Sequence, residues 1–184
     1  RLYEFESGQI LLNGTDIREM DPNNLRENVA YCTQNVQLLH GTLRENITLY
    51  DRRYADREIY GAIEKLNLTE WFSGFPNGLD TGLEMGENNL SAGEAQLVTL
   101  VRLALKNPKL VLLDEITSRL DAATERRLSS AVEALCRDRT VVLIAHSQAA
   151  VGWMDRILYM RNGRLYENPQ DGQEGAGTAY ESKQ

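Results

Sequence analysis

Apolar residues along this chain follow two rhythms. Short, nearly continuous runs occur in "GQILLNGTDI" (8–17), "ENVAYCTQ" (27–34), "KLVLLDE" (109–115) and "TVVLIAH" (140–146). The first ends in Asn-Gly, a pair that favours the tight hairpin turn with positive φ at both central residues. The last two do not alternate, which is the pattern of strands buried on both faces of a parallel sheet covered by helices. Helical spacing runs through "GTLRENITL" (41–49) and "ADREIYGAIEKLNL" (55–68), where Ile59, Ile63 and Leu66 share a face. "SGFPNGLDTGLEMGENN" (73–89) reads as a Gly, Asn and Pro-rich loop. A helix follows from about Gly93 to Lys106. "DAATERRLSSAVEALCRD" opens on Asp121 as N-cap and keeps Leu128, Val132 and Leu135 on one stripe. Strand, helix, strand over 109–146 makes a βαβ unit. "RILYMRNGRLYE" (156–167) reads as a second hairpin, around Asn162-Gly163. From about residue 168 the composition predicts a disordered tail.

The polar residues that close these runs change the picture. Gln34 ends the second run, Asp114 and Glu115 the third, and His146 the fourth. Ligands of open parallel sheets bind at the carboxyl ends of the strands, so an amide, two carboxylates and an imidazole are expected at one edge. An Asp beside a Glu suits a hard cation plus a group that orients water. "LSAGE" (90–94) places small residues with free backbone N–H groups at a helix start, a place for a phosphate. Each feature is weak alone. A strand-end acid commonly caps the next helix, a lone His is commonly structural, and Ser91 reads equally well as a plain N-cap. Their order along one chain is what gives them meaning.

Composition narrows the classes further. The 184 residues suffice for one domain with a substantial core. A net charge of −7 argues against a nucleic-acid partner held by counterion release. No apolar run is long enough to cross a bilayer. The opening "RLYEFESG" is not that of a signal peptide and has no initiating Met, so the chain reads as an internal piece of something longer. Cys32 and Cys136 stand alone, without metal-site spacing, and read as reduced core thiols.

In this order the residues resemble the nucleotide-binding domain of exporter-type ABC transporters. "LSAGE" (90–94) resembles the signature motif, usually LSGGQ, and "LVLLDE" (110–115) the Walker B strand with its catalytic Glu. "SRLD" (118–121) is similar to the D-loop, "IAHS" (144–147) to the switch histidine, "YCTQ" (31–34) to the Q-loop, and "HGTLRENI" (40–47) to the segment that follows it in exporters. The likeness covers residues 1 to about 167. Ala92 and Glu94 stand where the family usually has Gly and Gln, and Ile116 and Arg119 also depart. No Gly-Lys pair occurs, so the chain reads as beginning after the phosphate loop known as Walker A.

The resemblance implies a P-loop NTPase-like α/β fold: a mostly parallel core sheet, a small antiparallel portion, and a helical subdomain at about 41–106. It implies ATP hydrolysis coupled to export, with ATP and Mg²⁺ as ligands. Glu115, His146 and Gln34 would be catalytic. Ser91, Ala92, Gly93, Glu94 and Asp121 would contact nucleotide, and Asp114 and Gln34 the metal. Two such domains pair head to tail, so the signature turn would close on ATP held by the partner. The extra carboxylate of Glu94 is expected near that triphosphate. A transmembrane domain would be the second partner, placing the protein at the cytoplasmic face of a membrane. The rivals are a degenerate half-domain that only completes a partner's site, and a chromosome-type ATPase, which "GTLRENI" disfavours.

Overall fold

The computed structural model describes residues 4–33, 36–83, 90–114, 121–137, 139–145 and 154–167. The chain forms two compact units, 1–150 and 151–184. The first begins with β1 (Leu11–Leu12) and β2 (Thr15–Asp16), paired antiparallel. Between them Asn13 and Gly14 take φ of 51° and 81°, the left-handed values this turn requires. Helix α1 (Pro22–Asn28) follows; the sequence reading did not place it. Its start is well signalled in chemical terms, because Asp21 accepts hydrogen bonds from the N–H groups of Asn23 and Asn24, and Pro22 needs no N–H at the first turn. What hides it is the absence of any buried residue on it, so no apolar stripe marks it.

The centre of this unit is a three-stranded parallel sheet in the order β3 (Val29–Cys32), β6 (Leu110–Asp114), β7 (Thr140–Ile144). Cys32 lies opposite Leu113, and Asp114 opposite Ile144, so all three strands end at one edge. Between β3 and β6 in the chain come β4 (Gly41–Thr42), α2 (Leu43–Thr48), α3 (Asp56–Lys65), α4 (Thr69–Ser73), β5 (Gly82–Leu83) and α5 (Ala92–Lys106). Helix α6 (Ala122–Cys136) makes the crossover from β6 to β7. One apolar core joins Ala30, Cys32, Val111 and Leu113 of the sheet to Leu97, Leu100 and Val101 of α5, Leu128 and Leu135 of α6, and Ile59 and Ile63 of α3.

Within these 184 residues the expected burial of β6 and β7 is met on one face. Burial alternates along each strand. Val111 and Leu113 are buried, whereas Tyr31, Val142 and Ile144 on the opposite face are 56%, 50% and 53% exposed. Both helices flanking β6 contribute to one core on one side, and β7 is an edge strand among the described residues. Continuous apolar sequence does not distinguish a strand covered twice from one covered once. The segment 73–89 also holds more order than a loop: a 3-10 turn at Gly78–Asp80, and β5, which pairs antiparallel with β4. Strands of two residues are too short for any periodicity to report.

In the second unit, β8 (Tyr159–Arg161) and β9 (Arg164–Tyr166) form the expected hairpin, with Asn162 and Gly163 at φ of 47° and 74°. An ion pair of Arg156 with Glu167 brings the segments flanking it together.

Candidate functional site

The start of α5 is built by a reciprocal cap. Ser91 is the N-cap: its Oγ accepts the Glu94 backbone N–H at 3.3 Å. Glu94 reaches back, and its Oε2 accepts the Ser91 N–H at 2.9 Å and the Ser91 hydroxyl at 2.9 Å. Ser at the cap with Glu three residues on is the sequence form of this motif. Its other oxygen, Oε1, accepts the indole N–H of Trp71 from α4 at 3.4 Å. Helix geometry leaves the N–H groups of Ala92 and Gly93 without acceptors inside the helix, and the helix dipole adds positive potential there. Ser91 and Ala92 are exposed and Gly93 is buried. Two orphan amides and a dipole end form a donor set suited to phosphate oxygens, beside a hydroxyl whose proton Glu94 holds.

Asp114 closes β6 at the common edge of the sheet. Its Oδ2 accepts the Tyr31 hydroxyl at 2.9 Å from the neighbouring strand. That hydrogen bond, with the charge of Asp114 adding to it, holds the Tyr31 phenol above the ordinary tyrosine range. A single carboxylate at a strand end fits Mg²⁺, which is held in many sites by one or two carboxylates, with waters and phosphate oxygens completing its shell. Among the described residues no cluster of three His, Cys, Asp or Glu side chains is placed to bind a metal. Asp121 caps α6 as expected, its Oδ1 accepting the N–H groups of Ala123 and Thr124 at 3.0 Å each. These bonds, those from Thr124 foremost, hold its carboxyl below the ordinary range.

Gln34, Glu115 and His146 lie outside the described residues. The strands that precede them in sequence end together at one edge. Three residues that sequence reasoning gave no role join the site or its frame. Tyr31 meets Asp114, Trp71 meets Glu94, and Asn46 ties the segment after Gln34 to α5. Asn46 is fully buried; its side chain bonds the Leu39 N–H and C=O and the Thr42 C=O, and Arg102 of α5 donates to its backbone carbonyl. Asn and Arg in helices that otherwise bury apolar faces are the only sequence signal of that junction.

This arrangement has a counterpart in known proteins: the ABC transporter family matches residues 1–118. The chain belongs to the ABC transporter family. It is 39% identical over 167 residues to the Beta-(1-->2)glucan export ATP-binding/permease protein NdvA of Agrobacterium fabrum, covering 91% of this chain and 28% of that protein. It is 36% identical over 167 residues to the Putative multidrug export ATP-binding/permease protein YgaD of Bacillus subtilis, covering 91% of this chain and 29% of that protein. To the ATP-dependent lipid A-core flippase of Photobacterium profundum it is 36% identical over 176 residues, covering 94% of this chain and 30% of that protein. The chain thus spans under a third of the length of these relatives. As an ABC domain of the exporter type, it carries the α/β architecture of P-loop NTPases. No described helix is long and apolar enough to cross a membrane.

Proposed function

We propose that this domain binds and hydrolyses ATP in a dimer of such domains and drives export through an associated transmembrane domain at the cytoplasmic face of a membrane. The observation that carries this reading is the signature turn, whose exposed Ser91 and Ala92 sit at the start of α5 in a family of exporter ATPases. By the head-to-tail pairing that the family resemblance implies, the phosphate held at this turn belongs to nucleotide cradled by the opposing domain. Ser91 and the N–H groups of Ala92 and Gly93 donate to its oxygens. Asp121 lies at the same interface. Residues 1–167 form part of such a domain, with the helical lobe at about 41–106 receiving the membrane domain.

Asp114 and Gln34 would hold Mg²⁺, which neutralises charge on the phosphates when bound. Glu115 accepts the proton of the attacking water, and His146 steadies that water and the phosphate. Tyr31 donates to Oδ2 of Asp114 and so helps to fix the carboxylate that would hold the metal. The test is Glu115→Gln in the full-length protein. The amide keeps the shape and cannot act as a base, so ATP binding persists while turnover falls by about 100-fold or more. Normal turnover would remove Glu115 from this role.

A further inference from the structure

Glu94, where the family usually has Gln, has a chemical explanation in Trp71. We propose that these two residues are a positioning pair that fixes the direction of the Ser91 hydroxyl proton, and with it the strength of the signature turn's hold on a phosphate, given the phosphate role proposed above for that turn. An indole N–H can only donate, and so can a backbone N–H. Trp71 Nε1 faces Oε1 of Glu94 and Ser91 N faces Oε2, so both ends of side chain 94 meet donors. A carboxylate accepts at both ends. A Gln amide accepts at one end and donates at the other, so it sets an N–H against either Trp71 or Ser91. Trp71 and Glu94 are therefore matched to each other.

The match has a consequence for Ser91. Its hydroxyl has one proton, and that proton goes to Glu94 Oε2 at 2.9 Å while the oxygen accepts the Glu94 N–H. Turned inward, the hydroxyl shows lone pairs to an incoming phosphate. A phosphate oxygen must draw the proton from a charged acceptor, and such hydrogen bonds are about twice as strong as neutral ones. Trp71 keeps the carboxylate in place from the helical lobe. It is buried, edge-on to Phe75 at 5.1 Å, and Phe75 in turn touches Phe72, which meets Tyr60 of α3. The carboxylate is thus held between α4 and α5 and does not reach out to the triphosphate. Neither residue touches phosphate; both act through Ser91.

The experiment uses the full-length protein with Trp71→Phe, which keeps a ring and loses the donor, with Glu94→Gln, and with both. Hydrogen exchange of residues 90–97 is read without nucleotide. Glu94→Gln alone accelerates exchange there by about tenfold, and adding Trp71→Phe restores protection to within about twofold, because the amide oxygen is then free to face Ser91. The KM for ATP is then read with and without Ser91→Ala. Loss of the hydroxyl raises KM by less than about twofold in the native background and by about fivefold in the double variant, where a neutral oxygen holds the proton less tightly. Additive exchange effects of the two substitutions would overturn the pairing, and an equal Ser91→Ala penalty in both backgrounds would overturn its effect on the hydroxyl. If the native protein hydrolyses no ATP, the phosphate role of the turn fails, and the exchange rescue still decides the pairing by itself.

Discussion

Replacing Asn46 with Ala removes the side-chain part of the junction between the segment leading from Gln34 and the helix that carries the signature turn. Asn46 is fully buried. Its Oδ1 accepts the Leu39 N–H at 2.7 Å and an Arg102 guanidinium N–H at 3.4 Å, and its Nδ2 donates to Leu39 O at 2.9 Å and Thr42 O at 3.0 Å. Truncation strands the Leu39 N–H and C=O and one arm of Arg102, whose guanidinium burial already pushes below its ordinary value, while Thr42 O keeps its helical bond. Leu39 is 42% exposed, so water can recover part of what is lost there. At about 1 kcal/mol for each stranded group, with a small cavity added, the expected cost is about 3–4 kcal/mol. That is a large share of the 5–15 kcal/mol that holds typical domains folded, and corresponds to a fall in Tm of about 10 °C. Asn46→Asp is the control: it keeps the shape and both acceptor contacts but sets an oxygen against two carbonyls. It should cost at least half as much as the Ala variant. Thermal and urea unfolding followed by circular dichroism measure both. A loss under about 1 kcal/mol for Asn46→Ala, or an Asp variant as stable as the native protein, would refute this account of the junction.

The same structure sets four further outcomes. Leu128→Ala empties a fully buried site on α6 in the common core and should cost about 3 kcal/mol in urea unfolding. Burial pushes the Cys32 and Cys136 thiols up to about 11, so neither should be alkylated at pH 8 until the protein unfolds, as mass spectrometry can follow. The unfolded chain gives up these protons near pH 9.0 and the folded one near 11, so stability should fall as pH rises between those values. The Asp121 carboxyl is held below 3.8 when folded, so its contribution is present above that pH and lost below it; Asp121→Ala should speed exchange of the Ala123 and Thr124 amides at any pH above that value.

The elements that bury apolar faces were legible. Leu128, Val132 and Leu135 mark α6, and Ile59 and Ile63 mark α3, because a helix that packs must repeat its apolar residues every three or four positions. Both Asn-Gly hairpins were legible because so few residues accept positive φ at two successive positions. Helix α1 was not, since it is held by Asp21 and Pro22 and buries nothing. At the site, "LSAGE" announced a helix start, and the cap of Ser91 by Glu94 follows from residue types three apart. The approach of Trp71 to Glu94, 23 residues away, is set by how α4 packs on α5 and leaves no local trace. The same holds for Tyr31 and Asp114, 83 residues apart and brought together by strand pairing.

The central claim is that Ser91 serves a phosphate held by an opposing domain, and trapping position 91 tests it most directly. In the full-length protein with Glu115→Gln, a cysteine at position 91 is paired with one beside the phosphate-loop lysine of the opposing domain. The account predicts a disulfide between two ABC domains that forms when ATP is present and is sparse without it. A link formed only within one domain, or formed equally without ATP, would contradict it.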